Sequence, residues 1–128
     1  MQQSNKGYRD EEHLKSHQEK GAEIIAEYLS CISAPIDLVK HVSKLIAKHE
    51  IGGNAEQNSL KDADSLSFFE TNADGFIKKH LPLVGEAKVR EKFNWMYDRI
   101  SDSQAKQLAK PFYDKIMQEF EKTVSGNR

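Results

Sequence analysis

Apolar residues recur at helical spacing along most of the sequence, and this periodicity limits the chain to an all-α fold. In the clearest stretch, Val89, Phe93, Met96 and Ile100 follow one another at intervals of four, three and four residues. Such spacing places all four side chains on one face of an α-helix. No segment shows the sustained alternation of apolar and polar residues that predicts a β-strand. We therefore expect an all-α fold, a compact bundle of about five helices.

The five periodic segments are separated by short connections, which suit helices packed as neighbours. They run from about Asp10 to Ile32, from after Pro35 to Gly52, from about Ser59 to Leu81, from about Glu86 to Ile100, and from after Ser103 to about Phe120. Pro82 is expected to mark the end of the third helix. A proline inside a helix removes a backbone hydrogen bond, so Pro111 is expected to kink or split the fifth helix.

A single helical domain is predicted over residues 10–124. The chain has 128 residues, which fits one domain with a real core. Residues 1–9 are polar, so we expect a flexible N-terminal arm there. Residues 125–128 have nothing to bury and are expected to fray.

The charge balance argues against nucleic acid or a membrane as the main partner. Lys and Arg total 19, and Asp and Glu total 20, whereas anionic partners select a basic surplus. No apolar run reaches bilayer-spanning length, and the N-terminal stretch has no apolar signal core. The single cysteine, Cys31, excludes an intrachain disulfide and is expected to be a small packed thiol in a reducing compartment. A soluble cytoplasmic protein is the prediction.

A carboxylate at the edge of the third apolar stripe raises the first question about function. Asp64 lies four residues after Leu60 and five before Phe69. A carboxylate in that position needs a histidine, a cation or a metal as its partner. His49, across the preceding turn, is the candidate partner. Since His49 falls in the last turn of the second predicted helix, its imidazolium could equally stabilise that helix end.

The other titratable side chains give weaker signals. His13 and His17 are four residues apart and share a helix face, so they could hold a metal or form a solvated surface pair. Asp62 is interpreted as a favourable charge in the first turn of the third helix. His41 and His80 are interpreted as surface or helix-end residues without a functional role.

Three stretches resemble the HD superfamily of all-helical, metal-dependent phosphohydrolases. HQEKGAEIIAEYL, from His17 to Leu29, resembles the H-x-x-x-G-A-x-x-x-x-x-x-L segment of that family. VSKLIAKHE resembles its helix ending in an I-x-x-H turn, and LKDADSLSF resembles its D-A-D-x-L motif. The resemblance covers about residues 13–70. The family usually has Arg after D-A-D, and Ser65 stands at that position here.

The resemblance implies a divalent metal site. The second aspartate of D-A-D-x-L is the last metal ligand in the family and corresponds to Asp64. His17 and His49 match positions that are additional ligands or phosphate contacts in some subgroups. The implied ligands are therefore His17, His49 and Asp64, for Mn, Fe, Ni, Zn or Mg, and Glu50 is the candidate catalytic residue to accept or relay a proton. Hydrolysis needs about three protein ligands and an open position for water.

One part of the family pattern is missing. Its first histidine and its His-Asp doublet lie upstream of the matching segment, but no histidine precedes His13 and no His-Asp dipeptide occurs in the chain. The sequence thus resembles the C-terminal portion of an HD domain. We expect a degenerate or partial phosphohydrolase with weak or no activity alone. The alternatives are an active phosphohydrolase on a nucleotide or small phosphoester, using a reduced or intersubunit metal site, and a helical adaptor without chemistry.

A truncated bundle also predicts a partner. Without the upstream helices, apolar positions such as Leu60, Leu66 and Phe69 would lose part of their cover, and such a patch tends to be closed by another subunit or by repacking. We expect a homodimer or an altered bundle, or completion by the missing N-terminal part of the domain. A phosphorylated small molecule is the expected ligand.

Overall fold

The computed structural model describes residues 11–126, which are almost entirely helical. In chain order the elements are α1 (Glu11–Cys31), α2 (Ile36–Ile46), α3 (Ala55–Ser67), a π-helix (Phe68–Asn72), α4 (Ala73–Val84), α5 (Glu86–Asp98) and α6 (Ser103–Gly126). No β-strand occurs among these residues, so the predicted all-α class is confirmed. The predicted arm of residues 1–9 and the last two residues of the predicted tail lie outside the described part.

The chain forms two compact units, residues 1–61 and residues 62–128. The boundary falls inside α3, so the first part of this helix belongs to the first unit and the rest to the second. That residues 10–124 act as a single domain stays a prediction. No helix in the described part of the chain combines the length and the apolar character needed to cross a membrane.

In the first unit, α1 packs against α2. The buried apolar side chains are small or few: Leu14 and Ala22 on α1, and Val39 on α2. Gly21 lets the helices come close, since a Cβ there would lie 3.3 Å from Ile46 Cγ2. Several large apolar side chains of this unit stay exposed: Ile24, Tyr28, Ile32, Ile36, Leu38 and Ile51.

Two expectations about the end of α1 are wrong. Ile32 was expected on the buried stripe, but α1 ends at Cys31 and the side chain of Ile32 is exposed in the connection that follows. Cys31 was expected to be packed, and it is exposed. Both residues lie at the end of the helix, where the apolar period no longer reports on burial.

The third helix begins earlier than the apolar pattern predicts. Asn54 and Gln57 form a reciprocal cap. The backbone N–H of Asn54 donates to Gln57 Oε1, and the backbone N–H of Gln57 donates to Asn54 Oδ1, both at 2.8 Å. This arrangement satisfies two of the backbone donors that an open helix end leaves unpaired. Gly52 precedes it with a φ of 89°, and a Cβ at Gly52 would collide with the side-chain oxygen of Asn58.

The second unit is built around an aromatic core. Phe93 and Phe120 are fully buried, and their rings meet edge to face with centroids 5.9 Å apart. Phe69 packs on Phe93 at 6.3 Å. The buried apolar residues that complete this cluster are Ala73, Ile77, Val89, Met96, Ile116 and Val124. The prediction that Phe69 lacks cover is therefore wrong.

The prolines do not end or split the helices as expected. Pro82 lies inside α4, which continues to Val84. Gly85 follows the helix with a φ of 86°. Pro111 lies inside α6, which runs unbroken through Gly126, beyond the predicted domain end at residue 124. Asp102 precedes α6 and caps it, since its carboxylate accepts a hydrogen bond from the backbone N–H of Ala105 at 2.9 Å.

The buried face of α3 also differs from the predicted one. The apolar residue Ala63 is exposed, whereas the polar residues Asp62 and Ser65 are buried. The π-helix that follows adds about one residue to a turn. The buried positions Asp62 and Ser65 do lie at ordinary helical spacing before Phe69, whereas steps of exactly three residues back from Phe69 drift off that face and reach Ala63.

Candidate functional site

A histidine and a glutamate share a fixed position in the turn after α2. His49 Nδ1 lies 2.7 Å from the carbonyl oxygen of Ile46, which is the last residue of α2. Its Nε2 lies 3.3 Å from Glu50 Oε1. Both side chains are partly buried. The helix-end interaction that was one interpretation of His49 is thus present, and the other ring nitrogen faces a carboxylate.

A buried glutamine holds this turn in place. The Gln18 side chain is 2% exposed, and its amide oxygen accepts hydrogen bonds from the backbone N–H groups of Glu50, at 2.8 Å, and Ile51, at 3.3 Å. Sequence reasoning missed Gln18. Its position offered a signal, because Leu14, Gln18 and Ala22 follow one another at intervals of four, which puts a polar residue on a buried stripe.

The imidazole of His17 lies between two others. Its ring centroid is 6.3 Å from that of His49 and 6.3 Å from that of His13. The first unit therefore brings together three of the four predicted site residues: His17, His49 and Glu50. Imidazole nitrogens suit zinc, copper, iron and nickel, so this group has the donor chemistry for a transition metal.

The protonation of His49 tests whether this group fits a cation. A neutral imidazole carries one proton. If Nδ1 donates it to the Ile46 carbonyl, Nε2 turns a lone pair towards Glu50 Oε1, and two acceptors then face each other. The arrangement suits either a doubly protonated imidazolium or a cation shared by Nε2 and the carboxylate. A backbone carbonyl that accepts from the second ring nitrogen is also the usual support of a metal-binding histidine. His49 and Glu50 are thus the two residues of this group that would contact a cation, and an imidazolium paired with the carboxylate satisfies the same geometry.

Asp64 belongs to the second unit, and its partner there is an arginine. Arg99 Nη2 lies 2.6 Å from Asp64 Oδ2. The Arg99 side chain is 7% exposed and the Asp64 side chain is 47% exposed. The Asp64 carboxylate was expected to need a histidine, a cation or a metal as its partner, and in this unit the partner is the cationic side chain of Arg99. Its partner is 35 residues away in sequence, and no motif spacing pointed to it.

Arg99 is held by further contacts. Its Nε donates to Ser65 Oγ at 2.7 Å, and Ser65 Oγ donates to the Met96 carbonyl oxygen at 2.7 Å. Its guanidinium also lies over the Trp95 ring, 4.7 Å from the centroid. Ser65 stands where the HD pattern usually has Arg, and here its hydroxyl orients the arginine that pairs with Asp64.

Asp62 is the buried carboxylate of the D-A-D stretch. It is 5% exposed and accepts hydrogen bonds from the backbone N–H groups of Ser101 and Asp102, both at 3.0 Å. The Ser101 hydroxyl donates to it at 3.2 Å. The interpretation of Asp62 as a charge in the first turn of the third helix is wrong, because α3 begins at Ala55, two turns earlier. Its carboxylate instead accepts hydrogen bonds from the segment leading into α6.

The combination of His17, His49 and Asp64 in one metal site stays a prediction. Within residues 11–126, no three His, Cys, Asp or Glu side chains already form a group that could hold a metal ion. The three-imidazole row with Glu50 and the Asp64–Arg99 pair are the two arrangements that the described residues provide.

The sequence and fold place this chain among all-α proteins with a partly buried histidine–glutamate pair. Residues 2–124 match the family described as "Domain of unknown function (DUF4202)". Because the match covers nearly the whole chain, this protein belongs to that family. No curated protein and no solved structure matches it.

Proposed function

We propose that this protein is an HD-like domain with a reduced divalent-metal site, which binds a phosphorylated small molecule and has weak or no hydrolytic activity alone. The observation that carries the proposal is the position of His49, with one nitrogen on the Ile46 carbonyl and the other facing Glu50. The neighbouring His17 ring supplies a second nitrogen donor in the same unit.

The proposed roles follow from the chemistry of each side chain. His17 and His49 would hold the ion, and Asp64 is the third ligand that the resemblance implies. A bound divalent metal would supply Lewis-acid activation of water or of a phosphoryl oxygen. The carboxylate of Glu50, held by the Gln18 contact to its backbone, is placed to accept a proton from a group near His49 Nε2.

Metal binding by matched histidine variants tests the proposal. Calorimetric titration with Zn²⁺, Mn²⁺ and Ni²⁺ should show saturable binding of one of these ions to the purified protein. His49→Ala should weaken that binding by about tenfold or more, as loss of a metal ligand or its support commonly does. His41→Ala is the control, because His41 is exposed, lies on α2 and pairs with Glu56. Equal binding by both variants, or none by the wild type, would contradict the proposal.

Activity separates the degenerate site from an active one. With metal added, release of p-nitrophenol from p-nitrophenyl phosphate and from its bis-ester should be near background. Turnover that disappears in both Glu50→Gln and Asp64→Ala would instead support the active phosphohydrolase. If Glu50→Gln loses turnover but still binds the metal, the loss of activity results from impaired proton transfer and not from loss of the metal ion.

An exposed apolar stripe favours self-association as a second candidate role. Ile24 and Tyr28 lie one turn apart near the C-terminal end of α1, Ile32 follows directly after the helix, and all three are exposed. We propose that a second copy of the chain covers this stripe, as an exposed apolar patch commonly marks an interface. Light scattering at micromolar concentration should give a dimer mass, and Ile24→Glu should give a monomer. A monomeric wild type would exclude the dimer.

A cytoplasmic location is proposed on chemical grounds. The free thiol of Cys31 is exposed, and such a thiol remains reduced in the cytosol. Cell fractionation with a tagged full-length protein would test this location, and recovery in a secreted or membrane fraction would contradict it.

A further inference from the structure

We propose that a cleft in the second unit binds a small phosphate monoester. The cleft has a volume of about 610 Å³ and is lined by residues between Asp64 and Met96. This volume falls in the range of about 300–1,000 Å³ that is typical of small-molecule sites. It leaves room for an organic group in addition to a phosphate.

Positive side chains give the cleft its charge preference. Lys79 and His80 reach it from α4, and Lys92 reaches it from α5. Asp64 is the acidic side chain on its rim, and Arg99 pairs with that carboxylate. The two ammonium groups of Lys79 and Lys92 therefore outweigh the one carboxylate, which suits a ligand with two negative charges better than a monocarboxylate.

The π-helix supplies small polar groups to the same cleft. Thr71 and Asn72 line it, together with Ser67 at the end of α3. The Thr71 hydroxyl lies 2.9 Å from the Ser67 carbonyl oxygen and 2.7 Å from Asn72 Oδ1, so these groups hold one another in place. The single hydroxyl proton of Thr71 is used in these contacts, so the Asn72 amide nitrogen and the Ser67 hydroxyl are the groups that can donate to phosphoryl oxygens. Short π-helical turns inside α-helices are also frequent at functional sites.

Aromatic rings position one lysine and offer an apolar wall. Lys92 Nζ lies 5.6 Å from the centroid of Phe68, 5.8 Å from that of Phe76 and 5.6 Å from that of Trp95. Such cation–π contacts hold the ammonium at the wall of the cleft. Phe68, Phe76 and Met96 line the apolar part, which fits the organic group of a monoester.

This inference uses only side chains of the second unit, and of the proposed metal ligands only Asp64 lines the cleft. The proposed phosphate contacts are lysine, hydroxyl and amide groups, so they need no bound metal. Binding can therefore be measured with EDTA present, so that its failure and the failure of the metal proposal are distinguishable. The probes are phenyl phosphate, inorganic phosphate and benzoate, titrated into ¹⁵N-labelled full-length protein. Amide shifts in two-dimensional NMR spectra report both the affinity and the location of each probe.

Phenyl phosphate should bind saturably, more tightly than either inorganic phosphate or benzoate, and shift the amides of Thr71, Asn72 and Gly75. Lys79→Met should weaken it by about tenfold, since a charge-assisted contact is lost. Lys78→Met is the matched control, because Lys78 is the preceding residue and pairs with Asp74 at 3.0 Å, away from the cleft lining. Lys92→Met gives a second test, with its amide spectrum as the check on folding.

Three results would overturn the inference. The first is absence of saturable binding by phenyl phosphate, and the second is binding that shifts amides outside the cleft. The third is equal weakening by Lys78→Met and Lys79→Met, which would indicate general charge attraction. Vesicles containing phosphatidic acid distinguish a lipid headgroup from a soluble ester: the wild type should not co-sediment with them, and co-sedimentation that phenyl phosphate cannot reduce would count against a soluble ligand.

Discussion

The two units of this protein are ordered by different interactions. In the second unit, fully buried aromatic rings such as Phe93 and Phe120 form a continuous core. In the first unit, the described apolar core is small, and the buried Gln18 ties the turn after α2 to α1 by hydrogen bonds. The second unit therefore gains its stability from apolar packing, whereas the geometry of the first unit depends on a few polar contacts.

The largest effect is expected from the aromatic core. Phe93→Ala should lower the free energy of unfolding by about 3–5 kcal/mol, because it removes a fully buried ring and leaves a cavity among its neighbours. Chemical denaturation measures the loss. Phe112→Ala is the control, since the Phe112 ring is partly exposed and should cost clearly less.

Hydrogen exchange can sharpen this first test. In Phe93→Ala, the amides of α4 to α6 should lose protection. An equal loss in α1 and α2 would mean that both units unfold in one cooperative step, and the contrast between them would then lie in their contacts and not in their stability.

A polar contact in the second unit should give the next largest effect. Asp62→Ala removes the acceptor of two backbone N–H groups and a hydroxyl ahead of α6. The expected cost is about 1.5–3 kcal/mol, measured by thermal or chemical unfolding. Asp64→Ala should cost at most about 1 kcal/mol, because the Asp64 carboxylate is half exposed. A larger cost for Asp64 than for Asp62 would reverse the roles given to the two carboxylates.

The corresponding contact in the first unit is that of Gln18. Gln18→Ala leaves the backbone N–H groups of Glu50 and Ile51 without this acceptor and should cost about 1–2 kcal/mol. Glu19→Ala, on the exposed side of the same helix, should stay within about 0.5 kcal/mol. Amide shifts of the turn around His49 would show whether its position changes. A turn unchanged in Gln18→Ala would contradict the role of hydrogen bonds in the first unit.

Much of the fold could be predicted where apolar period and burial coincide. Val89, Phe93, Met96 and Ile100 were expected on one face, and all four are buried. The first three of these residues lie on the regular helix α5, and Ile100 lies two residues after its end. A single helical period therefore describes the stretch. The beginning of α3 was less predictable, because its cap is formed by polar side chains outside the apolar pattern.

The candidate site was predictable in its residue types but less so in its contacts. The sequence indicated that Asp64 needs a partner, yet Arg99 lies 35 residues away, and tertiary contacts that no local spacing encodes bring it close to Asp64. Asp62 and Asp64 are two residues apart on a helix and so point to different sides. The buried one is Asp62, which lies seven residues before the buried Phe69, two turns away on the same helix face, whereas Asp64 lies five residues before it and falls off that face.

The smallest predicted effect concerns an aromatic residue with a polar end in the second unit. Burial raises the pKa of Tyr113, and the nearby carboxylates of Asp98 and Asp114 raise it further. Its hydroxyl donates to Asn94 Oδ1 at 2.7 Å. Near neutral pH, Tyr113→Phe should cost about 0.5–1.5 kcal/mol through this hydrogen bond.

Because the folded chain holds the phenol proton more tightly than the unfolded chain does, the contribution of Tyr113 is complete below pH about 10 and is lost as the pH rises above that value. The difference in unfolding free energy between wild type and Tyr113→Phe should therefore shrink in alkaline solution. A difference that stays constant or grows there would show that the phenol is as well solvated in the folded unit as in the unfolded chain, and that this part of the aromatic core is more open to water than its neighbours Phe93 and Phe120.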